Sequence, residues 1–562
     1  MPQQRDRSIL ARLLVLLVAL ALVAAACGGS DDDDDASGEN EGDATEQTGG
    51  EIIDLGTFVG DPPEHIDPAL NVTLDAYQVI NALYDGLTEL DSTDPQNVTI
   101  EPLVAESFEA NDDATQWVFT IKEGLTFSDG EEVLPSSFVR GWERATDPDF
   151  AGDYSYLFNF VEGGAEKLAG DAETISGVTA DDEAMTLTVD LSAPYSNFDA
   201  VAGFQIFFPM PSAVDDLGSQ NDWENGIMIG NGPYKMEKAR TEQEIVLVKN
   251  ENWGGDIFGN TEANLDKITF RTSADPDSAY NAFEAGEGDT GQVPPGRVDE
   301  ARENHGTTLD VSILGSYHFE VKWNDPTIGG ADNVKLRQAI SQAINREEIN
   351  EAVYNGSRTV STGIIMEGIP GFKPDLCEFC AYDLDAAKAA LEEWTSAGNS
   401  QSAPVKINFN ADAGHEPVVQ IMIDNLKAAG IEAVADPFPT ETYFTQLSEG
   451  ACVICRSGWF ADYPTYDNFM YDLFHSDAIG GNNHGEYSNP EFDGLVDEAK
   501  ATVDKDEQAA LFNEAEDILV NQDIGVIPIL WYRGDYTYDQ DKIDNFIQTN
   551  GGLILWEQIT LK

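Results

Sequence analysis

Positive charge is scarce in this 562-residue chain, which has 30 Lys and Arg residues against 103 Asp and Glu residues and a formal net charge of -73. A protein that binds nucleic acid needs a basic face to neutralise phosphates, so this composition argues against a nucleic acid partner. Charge of one sign keeps a protein soluble but repels itself, and salt screens that repulsion. We therefore hypothesise that the protein works in a salty environment.

Sequence signatures of the common enzyme classes are also missing. The chain has neither a G-K-[ST] phosphate loop nor a G-x-S-x-G nucleophile elbow, and its six histidines show no H-E-x-x-H spacing. Residues 286–291, GEGDTG, satisfy G-x-G-x-x-G. A helix-like segment precedes them and two prolines follow, which fits a helix end and a turn rather than a dinucleotide site. The sequence therefore predicts neither an enzyme nor a cofactor or metal site.

Long hydrophobic runs are absent except near the N terminus. Three arginines precede the apolar run LLVLLVALALVAAA, which ends in small residues. This order is typical of a cleavable signal peptide, so residues 1–26 are predicted to direct export. A retained transmembrane anchor is the alternative.

Cys27 follows that apolar run and resembles the lipidated cysteine of a bacterial lipobox, although Ala24 stands where that motif usually has Leu. Several acyl chains on one cysteine would anchor the protein stably to a membrane. Residues 27–51 are rich in acidic and poor in apolar residues. Such a segment cannot bury enough surface to fold, so we expect the lipidated Cys to be followed by a disordered acidic tether.

The other four cysteines form two C-x-x-C pairs. Two such pairs can mark a zinc site, but export to an oxidising compartment favours disulfides. Cys377 and Cys380 fit a local loop disulfide. Cys452 and Cys455 lie in the apolar run ACVIC, where one extended strand would hold them too far apart to bond each other. We therefore expect the second pair to be free and buried or bonded elsewhere.

Strand-like and helix-like segments alternate along the chain, which predicts an α/β fold with more than one domain. The strand-like segments include TQWVFTIKEG, EIVLVKN, KITFRTS, SYHFEVKWN, VKINFNA and GVIPILWY, and the helix-like segments include PSSFVRGWERAT, NVKLRQAISQAINREEINEAVY, EPVVQIMIDNLKAAG and PEFDGLVDEAKATV. Within the second of these helices, we interpret Arg337 and Arg346 as partners of ion pairs on the helix surface.

Residues 456–464, RSGWFADYP, place Arg456, Trp459 and Asp462 within seven residues of one another. Core packing with surface charge explains such a composition. A binding cleft that needs a cation, an aromatic wall and an anion explains it equally, and the residues alone leave both readings open.

A series of segments, arranged in the same order along nearly all of the chain after the tether, resembles one protein family. They include INALYDGL, AESFEANDDATQWVFTIKEGLTFSDG, GNGPYKM, NVKLRQAISQAINREEI, RSGWFADYPTYDNF, YSNPEFDGLVDEA and GVIPILWY. In these segments, the chain resembles the solute-binding lipoproteins of ABC importers, specifically the oligopeptide/dipeptide-binding type of extracellular family 5.

The resemblance implies an α/β, two-lobed, periplasmic-binding-protein-like fold of type II, cluster C, with an extra domain on the first lobe. Two strands, near SILGSYHFEVKWN and GVIPILWYRG, would form the hinge. By that resemblance, lobe one comprises residues 52–75, 201–312 and 532–562, the extra domain residues 76–200, and lobe two residues 313–531.

For the site, the resemblance implies that the strand RSGWFADY lines the cleft. Asp462 would bind the α-ammonium of a peptide, and Trp459 would be a flat wall for a side chain. The backbone around Gly458 and Phe460 would pair with the extended peptide, and Arg456 would face a peptide carboxylate. A weaker hypothesis places Glu64, His65 and Ile66 near the cleft.

The expected function is that of a monomeric extracytoplasmic lipoprotein, which captures short peptides and delivers them to an ABC permease and ATPase complex. Its place would be the outer face of the bacterial cell membrane, reached through the lipid on Cys27. The alternatives are the same scaffold binding an oligosaccharide, metal chelate or opine, and an exported metallohydrolase using the C-x-x-C pairs or His475 and His484.

Overall fold

The computed structural model describes residues 49–60, 62–91, 98–150, 152–217, 222–306, 311–411, 413–534 and 536–562. The predicted signal peptide, Cys27 and nearly all of the predicted tether lie outside these residues. Glu51, the last residue assigned to the tether, begins the first strand. In the part of the chain that is described, no helix is long and apolar enough to cross a membrane.

The strands are numbered in chain order. They are β1 (Glu51–Asp54), β2 (Thr88–Asp91), β3 (Thr99–Pro102), β4 (Ala105–Ala110), β5 (Gln116–Ile121), β6 (Val178–Asp181), β7 (Thr186–Asp190), β8 (Tyr234–Met236), β9 (Glu244–Lys249), β10 (Lys267–Arg271), β11 (Thr290–Gln292), β12 (Val311–Val321), β13 (Thr359–Val360), β14 (Val405–Asn410), β15 (Ala433–Phe438), β16 (Ile454–Phe460), β17 (Val526–Gly534), β18 (Tyr536–Tyr538), β19 (Ile543–Asn545) and β20 (Thr560–Leu561).

The α-helices follow the same convention. They are α1 (Leu74–Leu83), α2 (Pro135–Ala145), α3 (Gly164–Leu168), α4 (Phe198–Ala202), α5 (Pro276–Glu284), α6 (Val298–His305), α7 (Val334–Ala343), α8 (Arg346–Tyr354), α9 (Leu384–Ser396), α10 (Glu416–Ala429), α11 (Tyr443–Gln446), α12 (Asp467–Phe469), α13 (Pro490–Ala501) and α14 (Lys505–Asp517). The predicted mixture of strands and helices is confirmed.

Three larger sheets organise these strands. The first sheet has the order β18-β11-β1-β10-β9-β8, the second β13-β17-β12-β16-β14-β15, and the third β4-β5-β7-β6. The strands of the first sheet come from three separate parts of the chain, whereas those of the second and third sheets each come from one continuous part. The assignment of these parts to two lobes and an extra domain, with its boundaries, stays a prediction.

Both faces of the second sheet are covered. On one face, Phe319, Ile407 and Ile527 pack with side chains of α7, α9 and α10. On the other face, Val526 and Trp531 pack with side chains of α13 and α14. Strands buried on both faces are apolar in nearly every position, which is why GVIPILWY is a continuous apolar run.

One predicted helix is divided in two. The sequence pattern indicated a single helix over NVKLRQAISQAINREEINEAVY, but α7 ends at Ala343 and α8 begins at Arg346. Ile344 is extended, and the side chain of Asn345 accepts a hydrogen bond from the amide of Glu348. Asn is a strong helix N-cap because its side chain replaces a missing acceptor in the first turn.

Arg337 and Arg346 do not form the predicted surface ion pairs, and that interpretation is wrong. Their exposed fractions are 0% and 2%. Arg346 donates to the carbonyl groups of Pro528 and Cys380 at 2.7 and 2.6 Å. Arg337 donates to the carbonyl group of Asp523 at 2.7 Å. Both guanidinium groups thus donate hydrogen bonds to backbone carbonyl groups in the interior. A guanidinium group can serve several such acceptors because it carries five N–H donors.

The cysteine predictions have two outcomes. The disulfide between Cys377 and Cys380 is confirmed. The expectation that Cys452 and Cys455 cannot bond each other is wrong, since they form a disulfide with a Cα–Cα distance of 5.2 Å. Cys452 precedes β16, which begins at Ile454, so the chain bends between the two cysteines. Four residues in one extended strand would separate the end Cα atoms by about 10 Å.

The buried arginine can be tested by substitution. We expect Arg346→Met to destabilise the protein by about 3 kcal/mol, because it leaves several buried carbonyl groups without donors. Arg302→Met in α6 is the matched control, since its guanidinium is exposed and lies 4.0 Å from Asp299. That change should cost less than about 0.5 kcal/mol. Urea unfolding followed by tryptophan fluorescence measures both, and equal effects would contradict this account.

Candidate functional site

The segment 456–464 begins in β16 and continues into the loop after it. β16 pairs antiparallel with β12, with Tyr317 opposite Gly458 and Ser316 opposite Trp459. Successive side chains of a strand point to opposite faces, so Arg456 and Trp459 face different sides of the second sheet. Arg456 and Trp459 are therefore close in the sequence, but their side chains lie on opposite faces of the sheet.

A cavity of about 280 Å³ lies at the end of β16. Four parts of the chain form most of its walls: the start of α1 with the residues before it, the hairpin of β2 and β3, residues 200–205, and residues 458–464. Tyr154, from the 3₁₀ turn Asp153–Phe160, and Leu314, Gly551 and Leu553 add to the wall. The lining includes the side chains of Tyr77, Phe204 and Trp459 and the acidic residues Glu89 and Asp462, with Gly458 and Phe460 beside them.

Asp462 is the acidic group that the predicted segment contributes to this cavity. Its carboxylate accepts a hydrogen bond from the Tyr154 hydroxyl at 2.7 Å and a longer one from the Asn468 amide at 3.3 Å. Burial raises the pKa of the Asp462 carboxyl to about 6, although these two hydrogen bonds favour the charged form. No Lys, Arg or His belongs to the described lining of the cavity.

Asn468 fixes Asp462 and Trp459 relative to each other. Its side-chain oxygen accepts from the Trp459 indole at 2.9 Å and from the Asp462 amide at 3.0 Å. Its side-chain nitrogen donates to Asp472 at 3.0 Å, and Tyr463 donates to the same carboxylate at 2.9 Å. The indole and the carboxylate are thus held in one rigid arrangement.

Trp459 and Gly458 also border a second cavity, of about 370 Å³, which includes Ser457, Phe444 and His484 in its lining. A Cβ atom on Gly458 would lie 2.8 Å from the Tyr532 hydroxyl and 3.1 Å from the Ser316 carbonyl oxygen. Only glycine fits there without displacing a neighbour. The strand therefore passes between two cavities with its backbone exposed to both.

One edge of β16 lacks a neighbouring strand over much of its length. Seven residues of β16 pair with β12 on one side, but only Ile454 and Cys455 pair with β14 on the other. Among the described residues, no strand pairs with Gly458 on that second side. Unpaired backbone groups at a strand edge can accept an added strand.

Phe460 and Arg456 lie on the face opposite Trp459. Phe460 is 47% exposed and stacks on Tyr532, with ring centroids 4.7 Å apart. The Arg456 guanidinium lies 5.2 Å from the centre of the Tyr317 ring. Arg456 lines neither cavity. The structure thus brings Gly458, Trp459, Phe460 and Asp462 to one cavity and leaves Arg456 outside it.

Several predicted or alternative sites have no counterpart at this cavity. Glu64, His65 and Ile66 do not line it, and the His65 ring lies 2.8 Å from Glu224 instead. In the described residues, no group of His, Cys, Asp or Glu side chains, including His475 and His484, is arranged to hold a metal ion.

Sequence reasoning missed the half of the cavity that lies early in the chain. Tyr77, Glu89, Tyr154 and Phe204 carry no local motif, and Tyr154 is 308 residues from its partner Asp462. The alternation of β2 indicates only that Glu89 and Leu90 face opposite sides. No signal in one sequence would have joined these residues to Asp462.

The profile of the family described as bacterial extracellular solute-binding proteins, family 5 Middle, matches residues 99–481. The chain is similar to the oligopeptide-binding protein OppA of Bacillus subtilis, with 25% identity over 82% of this chain and 84% of the relative. It is also similar to heme-binding protein A of Haemophilus influenzae, with 27% identity over 85% of this chain and 88% of the relative.

A solved structure shows the same fold. The murein tripeptide binding protein MppA of Escherichia coli matches with a TM-score of 0.72 and 22% identity, over 92% of this chain and 99% of that chain. The predicted two-lobed α/β fold is thereby confirmed. Because the family profile covers well over half of the sequence, the chain belongs to the bacterial extracellular solute-binding proteins of family 5.

Proposed function

We propose that this protein captures short peptides between its two lobes and delivers them to an ABC permease and ATPase complex. The observation that carries the proposal is Asp462, a carboxylate in a cavity whose described lining holds no cation. A peptide supplies the missing positive charge through its α-ammonium. A charge-assisted hydrogen bond of this kind is about twice as strong as a neutral one.

The open edge of β16 supports the same proposal. A peptide extended along Gly458 would bond its backbone to that edge, which gives affinity without dependence on side chains. The cavities on both sides of Gly458 would then receive ligand side chains, with Trp459 as a shared wall. Arg456 does not line the cavity that contains Asp462. Its proposed contact with a peptide carboxylate would therefore form only with ligands long enough to extend beyond that cavity.

The cellular setting is part of the proposal. The protein would act outside the cytoplasm as a monomer, without catalysing a reaction and without a cofactor, and a lipid on Cys27 would hold it at the outer face of the bacterial membrane. The tether would let the lobes reach the permease. The ligand would stabilise the closed arrangement of the lobes through its greater affinity for that state.

A second candidate is a ligand other than a peptide on the same scaffold. The similarity to a heme-binding protein favours keeping this candidate, since one fold can bind several ligand classes. The dependence of binding on a free amine separates the two candidates.

The first test uses tetra-alanine and its N-acetylated form with ligand-free, full-length protein. We expect acetylation to weaken binding about 100-fold in calorimetric titration, because it removes the charge that Asp462 meets. In Asp462→Asn, the free peptide should bind about as weakly as the acetylated one. Asp153→Asn is the control, since Asp153 is exposed beside Tyr154 and does not line the cavity. Equal binding of both peptides by the unaltered protein would refute recognition of the amine.

The second test is pH dependence. The pKa of Asp462 is raised to about 6, so its charged form, which binds the ammonium, is lost as the pH falls through 6. The affinity for tetra-alanine should therefore fall about tenfold per pH unit below that value. Tyr154→Phe removes a hydrogen bond that favours the carboxylate, so it should move the midpoint to higher pH.

Tyr156→Phe is the matched control for this pH profile. The Tyr156 hydroxyl is buried without a hydrogen-bond partner among the described residues. Its removal should leave the midpoint unchanged. A midpoint that is the same in Tyr154→Phe as in the unaltered protein would show that Asp462 does not govern the profile.

A further inference from the structure

The cavity that contains Asp462 has a second carboxylate, Glu89. It belongs to β2, in the part of the chain predicted to form the extra domain, and it lines the cavity together with Thr88 and Leu90. No Lys, Arg or His forms an ion pair with Glu89 in the described parts of the chain. Two carboxylates and no basic side chain thus share one small cavity.

The surroundings of Glu89 are unfavourable for its negative charge. Burial, together with the nearby Asp85, Glu557 and Asp91, raises the pKa of its carboxyl to about 8. The exposed Glu101 stands opposite it in β3. Glu89 is half-buried, and a carboxyl with a pKa of about 8 is mostly protonated at pH 7. Groups with such shifted pKa values concentrate where a protein binds ligands or performs chemistry. A cation from a ligand would displace the proton and stabilise the carboxylate.

Aromatic rings line the same cavity as the two acidic groups. Burial raises the pKa of the Tyr77 hydroxyl, and both Glu89 and Asp462 raise it further, so this phenol is near both acidic groups. Phe204 contacts Tyr77 and Tyr154, with ring centroids 5.8 and 4.9 Å apart. The faces of such rings attract Lys and Arg side chains by cation–π interaction.

The size of the cavity limits how much of a ligand enters it. At about 280 Å³, it is just below the range of roughly 300–1,000 Å³ that is common for ligand pockets. It therefore accommodates a group of the size of one amino acid rather than a whole peptide. Both positive charges that it would bind must come from the same end of the ligand.

We infer that this cavity selects peptides whose first residue is Lys or Arg, with Asp462 binding the α-ammonium and Glu89 the cationic side chain. The inference rests on the proposed function and adds a substrate class to it. The aromatic rings of Tyr77 and Phe204 flank the side-chain stem, and Glu89 meets the charge at its end. An apolar first residue fills the same space but leaves Glu89 without a cation.

The experiment compares two peptides of similar shape, Lys-Ala-Ala-Ala and norleucine-Ala-Ala-Ala, by calorimetric titration of ligand-free, full-length protein at pH 7. We expect the lysine peptide to bind at least tenfold more tightly. In Glu89→Gln, the ratio of the two affinities should fall to about one. Glu89→Asp keeps the charge and should retain part of the preference.

Glu101→Gln is the matched control, because Glu101 stands opposite Glu89 in the hairpin but is exposed and does not line the cavity. It should keep the full preference for lysine, and thermal melting of each variant checks that the fold is intact. Equal affinities for both peptides in the unaltered protein, or an unchanged ratio in Glu89→Gln, would overturn the inference.

The same titrations separate this inference from the proposed function. If both peptides bind equally and acetylation abolishes the binding of both, the inference fails and the proposed function stands. If neither peptide binds, both fail.

Discussion

The candidate site depends on the side-chain amide of Asn468, which is fully buried. Its oxygen accepts from the Trp459 indole and the Asp462 backbone, and its nitrogen donates to the carboxylates of Asp462 and Asp472. An Asn side chain offers two acceptor positions and two donors, and all four are used here. These hydrogen bonds consequently fix the conformation of the loop after β16, and with it the shape of the cavity wall that this loop forms.

A second constraint joins the early and late parts of the chain. The Tyr154 hydroxyl donates to Asp462, and Tyr195 and Asn197 donate to Asp467 in the same loop. Asp467 is 1% exposed, so this contact is buried. The loop is therefore fixed from within by Asn468 and from outside by a part of the chain about 300 residues away.

Electrostatics at the site follows from this packing. Burial raises the pKa of Asp462, Asp472 and Glu89 to about 6, 7 and 8, respectively. Asp462 and Asp472 accept hydrogen bonds from hydroxyl and amide donors, and Lys500 also favours the charged form of Asp472. Glu89 has no such side-chain donor among the described residues. The hydroxyl and amide donors stabilise the carboxylates without neutralising them, which leaves the cavity suited to a cation.

The sequence was informative where neighbours in the chain are neighbours in space. Gly458, Trp459, Phe460 and Asp462 were predicted together through the family resemblance of the one strand and loop that carry them. Tyr77, Glu89 and Tyr154 could not be predicted, since their place at the site depends on the packing of distant segments. Helix periodicity suggested the surface for Arg346, because a charged residue usually lies there, and it could not reveal the carbonyl groups that surround this side chain.

Errors at element boundaries had larger consequences than their size suggests. The sequence pattern suggested that both cysteines lie in one extended strand. Because β16 begins only at Ile454, Cys452 lies outside the strand and can form the disulfide with Cys455. Similarly, Asn345 ends one helix pattern and starts another. In both cases a shift of one or two residues changes which side chains can meet.

The two disulfides have a consequence for the motion of the lobes. Each closes a loop with a sequence separation of only three residues, and all four cysteines lie in the part predicted as lobe two. No described disulfide therefore crosslinks one lobe to the other. If the protein opens and closes as proposed, an oxidising environment would stabilise short loops within the predicted lobe two without covalently restricting that motion.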